Sequence, residues 1–121
     1  MLKLMVVDDS NIIRNKIKRA HDCHQFDLVA TACSGVEAVR LFSQHRPDVV
    51  TMDLTMPEMD GIACIERIIK LNPDVRILVV SALSDKATGI EALEKGARGF
   101  LLKPFTEQQL AEALAEIMED N

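Results

Sequence analysis

Val49-Val50-Thr51-Met52-Asp53-Leu54-Thr55-Met56-Pro57-Glu58-Met59-Asp60-Gly61 decides how the chain is read. The opening Val-Val-Thr-Met is short, β-branched and without polar alternation, which predicts a strand covered on both faces, as in a parallel sheet. Asp53 directly follows it and has little structural reason to be there. Asp60-Gly61 then opens a helix. The same arrangement recurs along the chain: Leu4-Met5-Val6-Val7 runs into Asp8 and Asp9, Ile77-Leu78-Val79-Val80 into Ser81, and Phe100-Leu101-Leu102 into Lys103. Phe26 to Cys33 reads as the remaining strand. If these runs are parallel strands of one sheet, Asp8, Asp9, Asp53, Ser81 and Lys103 come to a single edge. Three carboxylates, a hydroxyl and an ammonium are poor material for a core, since each buried charge needs a partner to offset its desolvation. They are good material for a divalent cation and a phosphoryl group.

Between the strands lie amphipathic helices. Ile13, Ile17 and Ala20 share a face behind a cap at Asp9 or Ser10. Ser34 and Glu37 have capping-box spacing ahead of Ala38, Leu41, Phe42 and His45. Asp60-Gly61 precedes Ile62, Ile65 and Ile69, and Asn72-Pro73 stops that helix. Ser84 can cap a fourth helix that ends at Lys95-Gly96, where glycine can close the turn in the left-handed conformation. Thr106 and Gln109 repeat the capping-box spacing before the stripe Leu110, Ala113, Leu114 and Ile117. Strand and helix alternate five times, which predicts an α/β fold with a doubly wound parallel sheet of five strands and five helices on both faces. In such sheets ligands bind beyond the carboxyl ends of the strands, where the polar set stands.

At 121 residues, with no Pro/Gly/Ser-rich linker, the sequence reads as one domain, residues 1–121. Hydrophobic residues make up 48% but aromatics only 3%, namely Phe26, Phe42, Phe100 and Phe105, so the core is expected to be aliphatic. The net charge of -5, without a basic cluster, argues against DNA binding. The apolar start is too short for a signal peptide or a membrane span, which predicts a cytoplasmic protein without membrane insertion. Cys23, Cys33 and Cys64 form no Cys-x-x-Cys pair and read as reduced thiols. His21-Asp22-Cys23-His24 matches no closed zinc set and reads as a polar helix end.

Together, Asp8-Asp9-Ser10, the stretch Thr51 to Gly61, Ser81-Ala82 and Lys103-Pro104-Phe105 resemble the receiver domain of two-component response regulators, in order and across essentially the whole chain. Within that family the chain is most similar to the stand-alone, CheY-like chemotaxis branch. The resemblance implies the flavodoxin-like strand order 2-1-3-4-5 and a phosphoaccepting switch, not a turnover enzyme. It implies Asp53 as the phosphoacceptor, with Asp8, Asp9, Asp53 and the backbone carbonyl of Thr55 holding Mg²⁺ or Mn²⁺. Lys103 and Ser81 would contact the phosphoryl group, and Ser81 and Phe100 would form the switch. Many chemotaxis regulators carry Tyr where this chain has Phe100, so packing alone must set that ring's position. A cis bond before Pro104 is implied too. Pro57 and Gly61 would shape the loop after Asp53, and Thr55 and Leu83 would tune the lifetime of the aspartyl phosphate.

Implied partners are a CheA-like chemotaxis histidine kinase, a FliM-like flagellar motor switch protein and a phosphatase, met by a monomer through the fourth helix, fifth strand and fifth helix. A phosphate sink, a phosphorelay intermediate or the receiver of a larger regulator are the other readings within the family. Outside it, an aspartate-nucleophile phosphatase would want a second Asp where Thr55 stands. No glycine-rich phosphate loop of either common pattern occurs. A small flavin-binding protein of similar architecture is the distant alternative.

Overall fold

The computed structural model describes residues 2–20, 26–54, 61–82 and 86–119. Strands β1 (Leu2–Val7), β2 (Phe26–Ala32), β3 (Val49–Asp53), β4 (Arg76–Ala82) and β5 (Gly99–Lys103) alternate with helices α1 (Asn11–Ala20), α2 (Gly35–His45), α3 (Gly61–Leu71), α4 (Lys86–Glu94) and α5 (Glu107–Ile117). All strand pairings are parallel, in the order β2-β1-β3-β4-β5. The expected architecture and strand order therefore both hold.

Because successive residues of a strand face opposite sides, the sheet feeds two aliphatic layers. Met5, Val7, Val50, Met52, Ile77 and Val79 pack with Phe42 of α2, with Ile65 and Ile68 of α3 and with Ala92 of α4. Leu4, Val6, Val49, Leu78 and Val80 pack with Ile17 of α1 and with Leu110, Leu114 and Ile117 of α5. The inner strands β1, β3 and β4 are hydrophobic over most of their length because both of their faces are covered, whereas the edge strand β2 carries the exposed Asp27.

Local signals explain most helix ends. Thr106 and Gln109 close a full capping box. Ser34 Oγ accepts the Glu37 N–H at 3.2 Å, but the Glu37 carboxylate reaches one residue further back and accepts the Cys33 N–H at 3.1 Å. The turn ahead of α2 is thus held one residue earlier than the box spacing implies. In α3 the buried residues are Gly61, Cys64, Ile65 and Ile68, while Ile62 and Ile69 sit at the margin. Isoleucines at 62, 65, 68 and 69 make the helix apolar over a wide arc, and packing against the sheet selects the side centred on Ile65 and Ile68.

Helix α4 ends in a Schellman closure: the Ala97 N–H donates to the Ala92 carbonyl at 3.0 Å, the Gly96 N–H to Leu93 at 3.2 Å, and Gly96 takes φ 123°. The same short helix carries Gly89 in its middle, where glycine costs roughly 1 kcal/mol relative to alanine. Asp60, the cap expected at Ser84, residues 21–24 and the side chain of Ala20 lie outside the described residues.

At the amino end of the sheet, the Lys3 N–H donates to Asp48 Oδ2 at 2.8 Å and Lys3 Nζ to the His45 carbonyl at 3.2 Å. The Asp48 N–H donates to the Lys3 carbonyl at 2.8 Å, and the Arg76 N–H to the Asp48 carbonyl at 3.1 Å. The Arg76 guanidinium reaches the Met118 carbonyl at the last turn of α5, a favourable place for a cation.

Candidate functional site

Strand register explains how distant residues meet. Val6 of β1 aligns with Thr51 of β3, so Asp8 and Asp53 fall two residues further along neighbouring strands, on the face that packs α1 and α5. Asp53 aligns with Val80, and Lys103 stands beside Ala82 at the end of β5, on that same face. The ammonium returns across β4: Lys103 Nζ lies 3.1 Å from Asp8 Oδ2 and 3.7 Å from Asp53 Oδ2. Both carboxylates are almost fully enclosed, at 1% and 2% exposure. At such burial an unpaired charge would be strongly destabilising, so the lysine is the partner that makes the arrangement tenable.

Asp8 is held from several sides. Its N–H donates to the Ala32 carbonyl at 3.0 Å, its Oδ1 accepts the Ser10 N–H at 2.8 Å, and its carbonyl accepts from the Arg14 guanidinium. Ser10 rather than Asp9 caps α1, with Oγ accepting the Ile13 N–H at 3.4 Å. Asp9 is thereby left exposed beside the pair, and one oxygen each of Asp8, Asp9 and Asp53 lie within 4.8 Å of one another. Two carboxylates ~5 Å apart at an effective dielectric near 20 repel by on the order of 3 kcal/mol.

Asp8 Oδ2 is buried without a hydrogen bond, its contact with Lys103 being an ion pair only. A buried carboxylate oxygen of this kind, converging with two more carboxylates, fits the all-oxygen coordination that Mg²⁺ prefers. Thr51, one row below Asp53, also buries its hydroxyl without a hydrogen bond.

Ser81 reaches the same edge but, by the alternation along β4, on the other face, with Ile77 and Val79. It is fully buried. Phe100, aligned with Val79, lies on that face and is only half-buried. The Lys103–Pro104 bond is cis, as expected. Thr55, Pro57 and Leu83 lie outside the described residues. Two neighbours escaped the sequence reading: Arg14, which braces the Asp8 carbonyl, and Lys16, whose ammonium donates to the Phe105 carbonyl and lies 4.7 Å over its ring. Their only trace in the sequence is their place on α1, six and eight residues past Asp8.

A sequence profile of the response regulator receiver domain matches residues 4–115. The chemotaxis protein CheY of Listeria monocytogenes is 40% identical over 114 residues, covering 94% of this chain and 96% of that one. An uncharacterised transcriptional regulatory protein of Bacillus subtilis, YhcZ, is 36% identical over 110 residues, which are 90% of this chain and 51% of that protein. Among solved structures, the CheX–CheY–BeF3–Mg complex from Borrelia burgdorferi superposes with a TM-score of 0.92 at 30% identity, covering 98% of this chain and 90% of that one.

Proposed function

The chain belongs to the response regulator receiver family, and from that membership we propose that it is a phosphoaccepting switch in which Asp53 takes a phosphoryl group from a sensor histidine kinase. The observation that carries this reading is the Lys103 ammonium set between two enclosed carboxylates, 3.1 Å from Asp8 and 3.7 Å from Asp53.

An Asp53 oxygen attacks the phosphorus, the bond to the kinase imidazole breaks, and the aspartate becomes an acyl phosphate. Asp8, Asp9, Asp53 and the carbonyl of Thr55 would hold Mg²⁺ or Mn²⁺, which when bound supplies charge neutralisation around the nucleophile and the incoming group. Lys103 supplies a further cation toward the phosphoryl oxygens, and the surrounding burial strengthens every such interaction. Ser81, drawn toward the phosphoryl group, would free space for Phe100 to turn inward, and the α4–β5–α5 face would carry the change outward. The chain turns over no other substrate in this reading.

The similarity to chemotaxis CheY proteins supports a CheA-like kinase as donor and a FliM-like motor switch protein as target, with a phosphatase acting on the aspartyl phosphate. A second reading, the receiver of a larger regulator or a phosphorelay step, is supported by the Bacillus relative of which this chain spans about half. Incubation with acetyl phosphate and Mg²⁺, followed by intact mass, tests the chemistry: one phosphoryl group should appear on the wild type and none on Asp53→Asn. Equal masses for both would remove Asp53 from its role. Capture by a flagellar switch peptide only after phosphorylation would favour the motor reading over the others.

A further inference from the structure

We propose that Gly89 is a seat for the Phe100 ring, and that this notch in α4 holds the output face in its resting form; the second half rests on the switch role argued for Phe100. A Cβ at Gly89 would stand 2.1 Å from Cε2, 2.6 Å from Cδ2 and 2.9 Å from Cζ of that ring. Three ring atoms thus occupy the space that any other residue's side chain would take.

Conformational need does not explain this glycine. Among the described residues Gly96 is the glycine with positive φ, whereas Gly89 sits in the body of a helix that any residue can continue. A glycine there weakens α4, and alanine would strengthen it. The position therefore requires the lack of a side chain, and the ring is what fills the space.

Phe100 has no hydroxyl and cannot fix its rotamer with a hydrogen bond, so its resting place must come from shape. Resting on Gly89, the ring lines an open apolar cavity of about 230 Å³ with Ile90, Leu93 and Leu102. Ile90 and Leu93 are exposed at 60% and 44%, so the half-buried ring rests where the core meets the surface. Strand alternation sets Phe100 and Ser81 on one face of the sheet, with Phe100 beside Val79 and Ser81 beside Leu102. Leaving the seat toward Ser81 would vacate the notch and uncouple α4 from β5. A methyl group at position 89 would close the outer place and leave the inner one.

Two measurements decide it. In a thermal-stability cycle, Gly89→Ala should raise Tm by roughly 4 °C in a Phe100→Ala background, as a helix gains from that change, and should lower it or leave it unchanged when Phe100 is present. Equal rises in both backgrounds would show that no seat exists, and if Gly89→Ala alone failed to fold, recovery in Gly89→Ala/Phe100→Ala would identify the ring as the cause. In the second measurement, fluorophenylalanine is incorporated and the Phe100 resonance assigned by its loss in Phe100→Leu. The unphosphorylated Gly89→Ala protein should show that resonance displaced toward its position in the wild type with beryllofluoride and Mg²⁺. A resonance that stays at the resting position means that the backbone yielded instead, and overturns the latch. Absence of any beryllofluoride shift in the wild type would count against the phosphoacceptor reading and the switching half together, while the stability cycle still decides the seat.

Discussion

Asp48 at the amino end of the sheet accepts the Lys3 N–H, while its own N–H and carbonyl join β1 to β4. At the carboxyl end Asp8 and Asp53 crowd together, with Lys103 as their shared counter-charge. Both ends use acidic side chains on the same parallel scaffold. The amino end spends its carboxylate on backbone donors and gains a closed seam. At the carboxyl end, repulsion is tolerated and a buried oxygen of Asp8 is left without a hydrogen bond. The carboxylates at the two ends are thus distinguished by what surrounds them as well as by burial.

That contrast is testable in descending order of effect. The largest is all-or-none: Asp48→Ala should accept a phosphoryl group from acetyl phosphate like the wild type, whereas Asp53→Asn should gain no mass. Loss of labelling in Asp48→Ala would mean that the two ends are not independent.

Next, saturating Mg²⁺ should stabilise the wild type and Asp48→Ala alike, by about 2.7 kcal/mol at a hundredfold excess over Kd. Asp53→Asn should have a higher Tm than the wild type in the metal-free state, because like-charge repulsion is relieved, and should respond less to Mg²⁺. Identical melting curves with and without the cation would remove the metal site.

A smaller effect is expected at the closed seam. Asp48→Ala leaves the Lys3 N–H without its 2.8 Å acceptor and should cost about 1–3 kcal/mol in urea unfolding at unchanged slope. A neutral result there would show that water replaces the carboxylate freely. Smallest is Thr106→Ala, which removes one side of the α5 capping box and should cost ~1 kcal/mol with no change in phosphoryl uptake.

Much of this was legible in the chain because apolar runs and polar residues alternate so regularly. Four of the five strands were visible as an apolar run with a polar residue at its end, β2 being the exception, and Asp8, Asp53 and Lys103 do meet. Less legible was anything that depends on how far one side chain reaches. Glu37 bonds to Cys33 rather than completing its box, and the buried face of α3 includes Cys64 and Ile68, where an isoleucine-rich helix offers several choices. Arg14 reads as a surface cation until the backbone places it under the Asp8 carbonyl. Gly89 gave only the mild signal of a glycine inside a helix, since the ring it faces lies eleven positions on, in β5.

The Lys103 ammonium, poised between Asp8 and Asp53, also bears on how the protein lives between signals. A tethered cation at that spot does the work of a mobile counter-ion, keeping two enclosed carboxylates side by side. The resting shape of the rim is thereby built into the polypeptide and does not wait on the composition of the surrounding solution.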